Sequence, residues 1–280
     1  MKLLKTVSEL QFVLAEKRQK HGTIGFVPTM GALHPGHLAL VRQAVAENDV
    51  VVVSIFVNPT QFNDKNDLLH YPRTLEADCE QLKDTGATIV FAPSVEEIYP
   101  EPDTRRFDFG NLATVMEGKF RPGHFNGVAQ VVSRLFDIVK PDRAYFGEKD
   151  FQQLAIIRAM VKQLDFPVEI ISHPIVREAN GLAMSSRNTR LSPELRKNAV
   201  EISRILFESQ KKKNQLSIPA LKQEVIDRVN AVAGLETEYF EIIDGDSLQI
   251  VNDWNDSPFI VGCIAVHAGE VRLIDNVFFR

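Results

Sequence analysis

The length, composition and charge of the chain limit what it can be. At 280 residues with 44% hydrophobic content, it is long enough for a substantial core and for two compact units, since single cores stop growing near ~250–300 residues. The formal net charge is -5, and no stretch concentrates Lys and Arg on one stripe, which argues against a nucleic acid as the main partner. Small molecules are therefore the expected ligands.

The chain has no sequence pattern typical of membranes, secretion or cysteine-based sites. Its longest apolar run, Val50 to Val57, is far shorter than the ~20 residues of a membrane span, and its start lacks an extended apolar secretory segment. Cys79 and Cys263 have no companion at metal-ligand spacing, so both are expected to be reduced thiols. We expect a cytoplasmic protein with no membrane contact and no metal held by protein ligands alone.

The first part of the chain alternates between strand-like and helix-like segments. Residues 23–27 predict a strand that ends at Pro28, residues 38–46 predict an amphipathic helix, and the β-branched run 50–57 predicts a strand buried on both faces. The pattern then continues, with helices predicted over 75–83, 128–139 and 154–164 and strands over 88–91, 144–146 and 168–172. This order predicts an α/β fold with a Rossmann-like, doubly wound parallel sheet.

After about Arg177 the alternation ends. Helices are predicted over 193–210 and 218–232, and strands over 238–243, 259–266 and 271–278. This order is typical of a smaller α+β unit, and Asn180-Gly181 indicates a flexible junction before it. We therefore predict one domain over residues 1–178 and a second over 179–280.

The most informative segment lies between the first predicted strand and the first predicted helix. Residues 28–37 read Pro-Thr-Met-Gly-Ala-Leu-His-Pro-Gly-His. Ligands of open α/β sheets collect at the carboxyl ends of strands, where a helix N-terminus offers free N–H groups to phosphate. Gly31 and Gly36 permit close approach, and His34 and His37 can both face the phosphates. Two histidines in a loop are structural or incidental about half of the time. Their position in a glycine-rich turn between a strand and a helix favours a catalytic role.

This segment resembles the His-x-Gly-His motif of the superfamily that includes class I aminoacyl-tRNA synthetases and nucleotidylyltransferases. Its members attack the α-phosphorus of ATP and release pyrophosphate, which needs cation-like donors around the transition state rather than a covalent nucleophile. The resemblance makes His37 the stabilising donor, with His34 assisting.

A second segment, Met-Ser-Ser-Arg-Asn at residues 184–188, follows the predicted domain junction. It looks like a variant of the Lys-Met-Ser-Lys-Ser loop of the same superfamily, with Arg187 supplying positive charge and Ser185 and Ser186 supplying hydroxyl donors. A Ser-Ser-Arg triplet alone is far more often an ordinary surface loop. Together with the histidine segment, in this order, it predicts a loop that closes over a triphosphate.

Two further strand ends carry polar side chains. Residues 145–153 read Tyr-Phe-Gly-Glu-Lys-Asp-Phe-Gln-Gln, and residues 57–62 read Val-Asn-Pro-Thr-Gln-Phe. Lys149 can neutralise phosphate charge, while Asp150 fits a helix N-cap and a ribose acceptor equally well. Gln61 and Gln153 offer neutral amides, which can hold a carboxylate that must still react.

These segments together resemble the pantothenate synthetase family, and the resemblance covers nearly the whole chain. It includes the four segments above and also Tyr-Pro-Arg-Thr at 71–74, Arg-Pro-Gly-His-Phe at 121–125 and Arg-Leu-Ile-Asp-Asn at 272–276. The resemblance implies the ATP-dependent condensation of pantoate with β-alanine through a pantoyl adenylate, giving pantothenate, AMP and pyrophosphate. One departure lies in residues 63–67, where a Gly-Pro-like turn and an acidic residue at Asn66 are expected.

The resemblance also assigns roles to residues and partners. It implies an ATP- and pantoate-binding first domain and a second domain that acts as a lid, a homodimer, and magnesium held largely by the phosphates. Gln61 and Gln153 are the implied pantoate residues, with Gln61 also next to the β-alanine position, and His37, His34, Lys149 and Arg187 are the implied catalytic residues. The implied ATP contacts are Met30, Gly31, Ala32, Leu33, His34, Pro35, Gly36, His37, Gly147, Glu148, Lys149, Asp150, the backbone of Val176, Met184, Ser185, Ser186 and Arg187.

Three other functions are compatible with parts of the pattern. A nucleotidylyltransferase that moves AMP onto a phosphate shares the histidine segment, but the paired glutamines favour a ligase. An aminoacyl-tRNA synthetase is disfavoured because the chain lacks a basic face and room for an anticodon-reading domain. A nucleotide-binding module without catalysis is disfavoured because His34, His37, Lys149 and Arg187 are all present.

Overall fold

The computed structural model describes residues 1–63 and 65–280. Within that part of the chain, the larger sheet has six parallel strands in the order β1-β4-β3-β2-β5-β6. They are β1 (Lys2–Leu4), β2 (Ile24–Thr29), β3 (Val50–Ile55), β4 (Ile89–Phe91), β5 (Arg143–Gly147) and β6 (Glu169–His173). The predicted Rossmann-like parallel sheet is confirmed.

Helices connect these strands and cover the sheet. They are α1 (Val7–Gln19), α2 (Pro35–Glu47), α3 (Lys65–His70), α4 (Leu75–Leu82), α5 (Val95–Ile98), α6 (Met116–Phe120), α7 (His124–Val139) and α8 (Phe151–Gln163). Short 3-10 turns occur at Pro59–Gln61 and Glu148–Asp150, directly after β3 and β5. Helices α2, α7 and α8 all begin earlier than the apolar pattern predicts, because Gly and polar residues in their first turns interrupt that pattern.

Strand β3 is buried on both faces, as its β-branched run predicts. Val50 and Val52 pack into one apolar core together with residues of α1, α7 and α8. Val51 and Val53 pack into a second core together with residues of α2 and α4. Successive side chains of a strand point to opposite faces, so the two cores lie on opposite sides of one doubly wound sheet.

The order in which strands are added to the sheet reverses at β2, because β3 and β4 lie on one side of it and β5 and β6 on the other. This strand pairs with β3 on one side, and on the other with β5, where Gly25 lies opposite Arg143 and Phe26 opposite Ala144. The connections that leave β2 and β5 run to opposite sides, which opens a crevice at the carboxyl ends of these two strands. The histidine segment follows β2 and the Lys149 turn follows β5, so both lie at this crevice.

The second unit is the smaller α+β structure that the sequence predicts. Helices α9 (Pro193–Lys212) and α10 (Ile218–Asn230) pack on an antiparallel sheet of β7 (Leu235–Asp244), β8 (Ile260–Ala268) and β9 (Val271–Phe278). Their apolar faces share one core, which includes Ile205, Leu221 and Phe240. The exact domain boundary after residue 178 stays a prediction.

Buried ion pairs join the two units. Arg272 of β9 donates to the carboxylate of Glu117 in α6 at 2.9 and 2.6 Å, and the Tyr239 hydroxyl donates to the same carboxylate at 2.8 Å. Arg177, between the units, donates to both oxygens of Asp275 at 2.7 and 2.8 Å. These contacts fix the second unit against the sheet edge where the crevice lies. Within residues 1–63 and 65–280, no helix has the length and apolar character required to span a membrane.

Candidate active site

A cleft of about 1230 Å³, part of it open to solvent, occupies the crevice beyond β2 and β5. Its walls come from the loops after β2, β3, β5 and β6 and from the segment that leads into the second unit. Most of the predicted site residues line it, namely Met30, His34, Gly36, His37, Gln61, Gly147, Lys149, Asp150, Gln153, Val176, Met184, Ser185, Ser186 and Arg187. The histidine segment at residues 28–37 and the Arg187 segment at residues 184–188 therefore line the same cavity.

The remaining predicted residues do not line the cleft. Leu33 is 7% exposed and packs in the core beneath α2, while Pro35 is exposed at the first turn of that helix. The Glu148 carboxylate accepts a hydrogen bond from the Ser172 hydroxyl at 2.9 Å. Gly31 and Ala32 have φ values of 82° and 48°, and their turn faces α4. The ATP contacts assigned to these five residues, like those assigned to the residues that line the cleft, stay predictions.

A buried carboxylate that the sequence did not single out occupies the concave side of this turn. Asp78 of α4 is 0% exposed and accepts hydrogen bonds from the backbone N–H groups of Ala32 at 3.0 Å and Leu33 at 2.8 Å. The N–H groups of Ala32 and Leu33 in this turn converge on one point, which forms an anion site. Asp78 fills this site, so these amides hold the turn rather than a phosphate. In the sequence, Asp78 resembles any acidic residue in a helix's first turn.

We expect Asp78→Asn to lower the free energy of unfolding by about 2 kcal/mol, because an amide replaces one acceptor of two charge-assisted hydrogen bonds. Chemical denaturation of the purified chain measures this. Asp84→Asn changes an exposed acid just beyond the same helix and serves as the control, with an expected change within ~0.5 kcal/mol. Equal stabilities of the two variants would contradict the role given to Asp78.

His34 and His37 lie together at the start of α2. His34 is the N-cap residue, and its Nδ1 accepts a hydrogen bond from the Gly36 N–H at 3.2 Å, which leaves Nε2 as the protonated nitrogen. The two rings are 4.0 Å apart, centroid to centroid. Burial, with the nearby charge of Lys149, lowers the pKa of His34 to about 4, and burial also holds the pKa of His37 well below its ordinary value. Both imidazoles are therefore neutral N–H donors at pH 7.

Lys149 supplies one positive charge. It lies in the turn after β5 with its side chain 19% exposed, and its Nζ is 3.8 Å from Asp150 Oδ2. The turn is fixed from the second unit, because Asn276 of β9 donates from Nδ2 to the carbonyls of Glu148 at 2.8 Å and Lys149 at 3.2 Å. Asp150 is the residue before α8, but its side chain makes no cap hydrogen bond. Its carboxylate therefore faces the cleft.

Arg187 supplies a second positive charge to the cleft. Its Nη2 donates to Asp67 Oδ2 at 2.8 Å, and Arg190 donates to the other oxygen of Asp67 at 2.9 Å. Burial raises the pKa of Asp67, but the hydrogen bonds and charges of these two arginines outweigh burial and hold it below its ordinary value. Tyr71, which also lines the cleft, lies under the guanidinium at 5.9 Å and contacts the Ser186 hydroxyl at 3.3 Å. Within segment 63–67, where the departure from the family was noted, Asp64 lies outside the described residues.

The loop around Arg187 is shaped by its own polar groups. Ser185 is the N-cap of the 3-10 turn Ser186–Arg190, with its hydroxyl accepting a hydrogen bond from the Arg187 N–H at 3.2 Å. The Met184 N–H donates to the carbonyl of Val176 at 3.0 Å. The Ser185 hydroxyl thus acts as a helix cap, and the Val176 carbonyl closes the loop on itself.

Gln61 and Gln153 both line the cleft. Gln61 is 9% exposed; its Oε1 accepts from Asn58 Nδ2 at 3.2 Å and its Nε2 lies 3.0 Å from the sulfur of Met30. Within the described chain, the Gln153 side chain has no protein hydrogen-bond partner and is available to a ligand. Asn58 was not predicted as a site residue, although it also lines the cleft; it holds Gln61 and accepts from the Tyr99 hydroxyl at 3.1 Å.

The comparison with protein families shows to which family the chain belongs. The profile of the family described as pantoate-beta-alanine ligase matches residues 2–278. The chain belongs to the pantoate-beta-alanine ligase family. It is 61% identical over 280 residues to a pantothenate synthetase of Azobacteroides pseudotrichonymphae genomovar. CFP2, and the alignment covers 100% of both chains.

Solved structures in this family have the same fold over their whole length. The pantothenate synthetase of Thermus thermophilus superimposes with a TM-score of 0.93 at 46% identity, covering 99% of each chain. The pantoate-beta-alanine ligase of Francisella tularensis, solved as a complex with beta-gamma ATP and beta-alanine, superimposes with a TM-score of 0.82 at 36% identity. That alignment covers 100% of the present chain and 98% of the other.

The side chains of this family member fit a magnesium ion that binds together with a nucleotide. Among the residues that the structure describes, no three His, Cys, Asp or Glu side chains form a cluster able to hold a metal. The Asp150 carboxylate lines the cleft and is 48% exposed. Magnesium commonly binds through one or two carboxylates, waters and substrate phosphates, so Asp150 is the residue that can reach such an ion.

Proposed function

We propose that this chain condenses pantoate with β-alanine, converting ATP to AMP and pyrophosphate by way of pantoyl adenylate. Its membership of the pantoate-beta-alanine ligase family supports this function. The observation in the structure that carries it is the shared cleft, which is lined by His34, His37, Lys149 and Arg187 together with Gln61 and Gln153. The first group suits a triphosphate and the second a small hydroxy acid.

The first step makes the acid reactive. A carboxylate is a poor acceptor of an amine because its leaving group would be oxide. An oxygen of pantoate therefore attacks the α-phosphorus of ATP, the bond to the bridging oxygen breaks, and pyrophosphate leaves. Lys149 and Arg187 offset negative charge on the phosphates, and His37 and His34 donate N–H hydrogen bonds to oxygens whose charge grows in the transition state. A magnesium ion bound to the phosphates supplies further positive charge.

Gln61 and Gln153 are suited to binding pantoate in this step. Their neutral amides donate to the oxygens of pantoate without fixing the carboxylate as tightly as an arginine would. Gln61 is held in place by Asn58, so its amide is already oriented when the acid binds. The attacking oxygen can then face the α-phosphorus in line.

The second step forms the amide. The uncharged amine of β-alanine attacks the acyl carbon of the adenylate, the bond from that carbon to the phosphate oxygen of AMP breaks, and the amine loses a proton. Water must be kept away, since it would hydrolyse the mixed anhydride. Residues 184–187, which belong to the predicted second domain, line the cleft, which suits the lid role that we propose for residues 179–280.

We further propose a cytoplasmic homodimer that uses the magnesium complex of ATP. The resemblance of the sequence to the family supports the dimer, and the position of Asp150 supports the metal. Sedimentation of the purified chain, and the activity with and without magnesium, test these points separately.

Pyrophosphate exchange tests the proposed function directly. Labelled pyrophosphate is incubated with the chain, ATP and one of a panel of small acids, and its incorporation into ATP is measured. We expect exchange with pantoate and none without an acid. Exchange that requires a phosphorylated acceptor would instead identify a nucleotidylyltransferase, and the absence of any exchange or product would identify a binding module.

A further inference from the structure

One carboxylate joins the segment that follows β3 to the loop around Arg187. Asp67 lies in the short helix α3, between the 3-10 turn that carries Gln61 and the cleft residue Tyr71. Its Oδ2 accepts a hydrogen bond from Arg187 at 2.8 Å, and its Oδ1 accepts one from Arg190 at 2.9 Å. The two arginines are 120 and 123 positions away in the sequence. Asp67 therefore connects two distant segments that both contribute to the wall of the cleft.

Asp67 contacts Arg187 but does not itself line the cleft. Arg187 lines the cleft, whereas Asp67 and Arg190 do not. The Asp67 side chain is 21% exposed and the Arg187 side chain 27% exposed, so their contact is largely shielded from solvent. The carboxylate is not placed to touch a nucleotide in the cleft, and any effect it has on the reaction must pass through Arg187.

The contact with Asp67 leaves most of the Arg187 guanidinium available. Among the residues that the structure describes, Asp67 is the only hydrogen-bond partner of the Arg187 side chain, and it takes a donor on Nη2. A guanidinium has five N–H donors in a planar fork, so the others remain for a ligand. The Tyr71 ring centroid lies 5.9 Å from the guanidinium carbon. With one donor bonded to Asp67 and the ring against the group, the direction of the free donors is set before a ligand binds.

The ion pairs do not cancel the positive charge of this loop. Two arginines share one carboxylate, so the three side chains together keep a net positive charge. Burial lowers the pKa of Arg187, but the hydrogen bond and charge of Asp67 outweigh burial and hold this pKa above its ordinary value. Asp67 thus stabilises the charged form of Arg187 while Arg190 balances the carboxylate.

The first step of the proposed reaction needs positive charge in a fixed place. Negative charge on the phosphates is redistributed as the oxygen of pantoate attacks and pyrophosphate leaves, and donors that are already oriented stabilise it without rearrangement. An unrestrained arginine side chain has many rotamers, which makes it a poorly oriented donor. We infer that Asp67 is a positioning residue, which orients the Arg187 guanidinium toward the phosphates of bound ATP. This inference rests on the proposed function.

Asp67→Asn tests this inference, because the amide keeps the shape of the side chain but loses its negative charge. We expect the maximal rate of pantoate-dependent pyrophosphate exchange to fall by about 10-fold, since a misdirected donor stabilises the transition state less. The KM for pantoate is expected to stay within about twofold, because the effect passes through a phosphate contact. Asp67→Glu keeps the charge on a longer side chain and is expected to recover part of the rate.

A double-mutant cycle with Arg187 separates positioning from a general effect on the loop. Arg187→Gln alone is expected to slow exchange by about 100-fold, and labelled pyrophosphate allows this residual rate to be measured. In that background no guanidinium remains to be oriented, so adding Asp67→Asn is expected to slow exchange by less than about twofold further. An equal loss in both backgrounds would overturn the inference.

Arg190→Gln is the matched control. It removes the other arginine partner of Asp67 and leaves the hydrogen bond to Arg187 in place, so exchange is expected to change by less than about twofold. Urea denaturation of each variant establishes that it is folded. Unchanged exchange in a folded Asp67→Asn enzyme, or an equal loss in Arg190→Gln, would refute the role of Asp67. Absence of pantoate-dependent exchange in the unaltered enzyme would overturn the proposed function itself.

Discussion

Replacing His37 by Ala is expected to slow pantoate-dependent pyrophosphate exchange by about 100-fold or more, which is the usual loss when one preorganised donor to a transition state is removed. The His37 ring is buried beside His34, so it is already oriented and its N–H group replaces water without rearrangement. Because the ring is neutral, its contribution comes from the direction of the N–H bond rather than from a full charge.

The measurement needs a folded variant and a matched histidine. Circular dichroism and ATP binding establish that His37→Ala keeps its structure. His70→Ala removes an exposed histidine of α3 and is expected to change exchange by less than about twofold. His37→Gln returns an N–H donor and is expected to recover part of the rate. A folded His37→Ala enzyme with near-normal exchange would refute the donor role.

Replacing Glu117 by Gln is expected to lower the free energy of unfolding by about 3 kcal/mol, because Arg121 loses its ion-pair partner and the buried Arg272 keeps only Glu238. The Glu117 side chain is 9% exposed and contacts Arg272, Arg121 and Tyr239. Urea denaturation at pH 7 measures the change. Glu80→Gln removes one partner of an exposed ion pair with Lys83 and is expected to cost less than ~1 kcal/mol.

The loss should depend on pH in a defined direction. Burial raises the pKa of Glu117, but the hydrogen bonds and charges of Arg272 and Arg121 outweigh burial and lower it to about 2, from an ordinary 4.5. The stabilisation is therefore complete above pH 4.5 and disappears as the pH falls toward 2, a change of roughly 3 kcal/mol. The stability difference between the unaltered chain and Glu117→Gln is expected to shrink over this interval. A difference that is constant with pH would contradict the role of charge.

The sequence predicts the central part of the fold well and its edges poorly. The run Val50 to Val57 identifies β3 because a strand buried on both faces carries a nearly continuous run of apolar, mostly β-branched residues. β1 and α1 were not predicted; the first is a short edge strand, and α1 buries only Leu10 and Leu14. Such elements gain their stability from packing against the rest of the molecule, which the local pattern does not record.

The site residues that the sequence identifies are those at the ends of strands. His34, His37, Lys149 and Gln61 each follow a strand of the predicted sheet, so the rule for parallel sheets is enough to bring them together. Asp78, Asn58 and Asn276 were not predicted to support the site, because each acts through backbone groups or a neighbouring amide. The partners of Asp78 and Asn276 are distant in sequence, and the contact between Asn58 and Gln61 depends on the shape of a turn.

The pairing of β2 with β5 also determines when the cleft can form during synthesis. The histidine segment at residues 28–37 leaves the ribosome early. The sheet beneath it is incomplete until Arg143 and Ala144 of β5 have emerged and paired with Gly25 and Phe26 of β2. Long-range strand pairing of this kind is slow. A nascent or truncated chain that ends before β5 therefore carries the histidines without a cavity around them, and no ligand of the cleft can stabilise it.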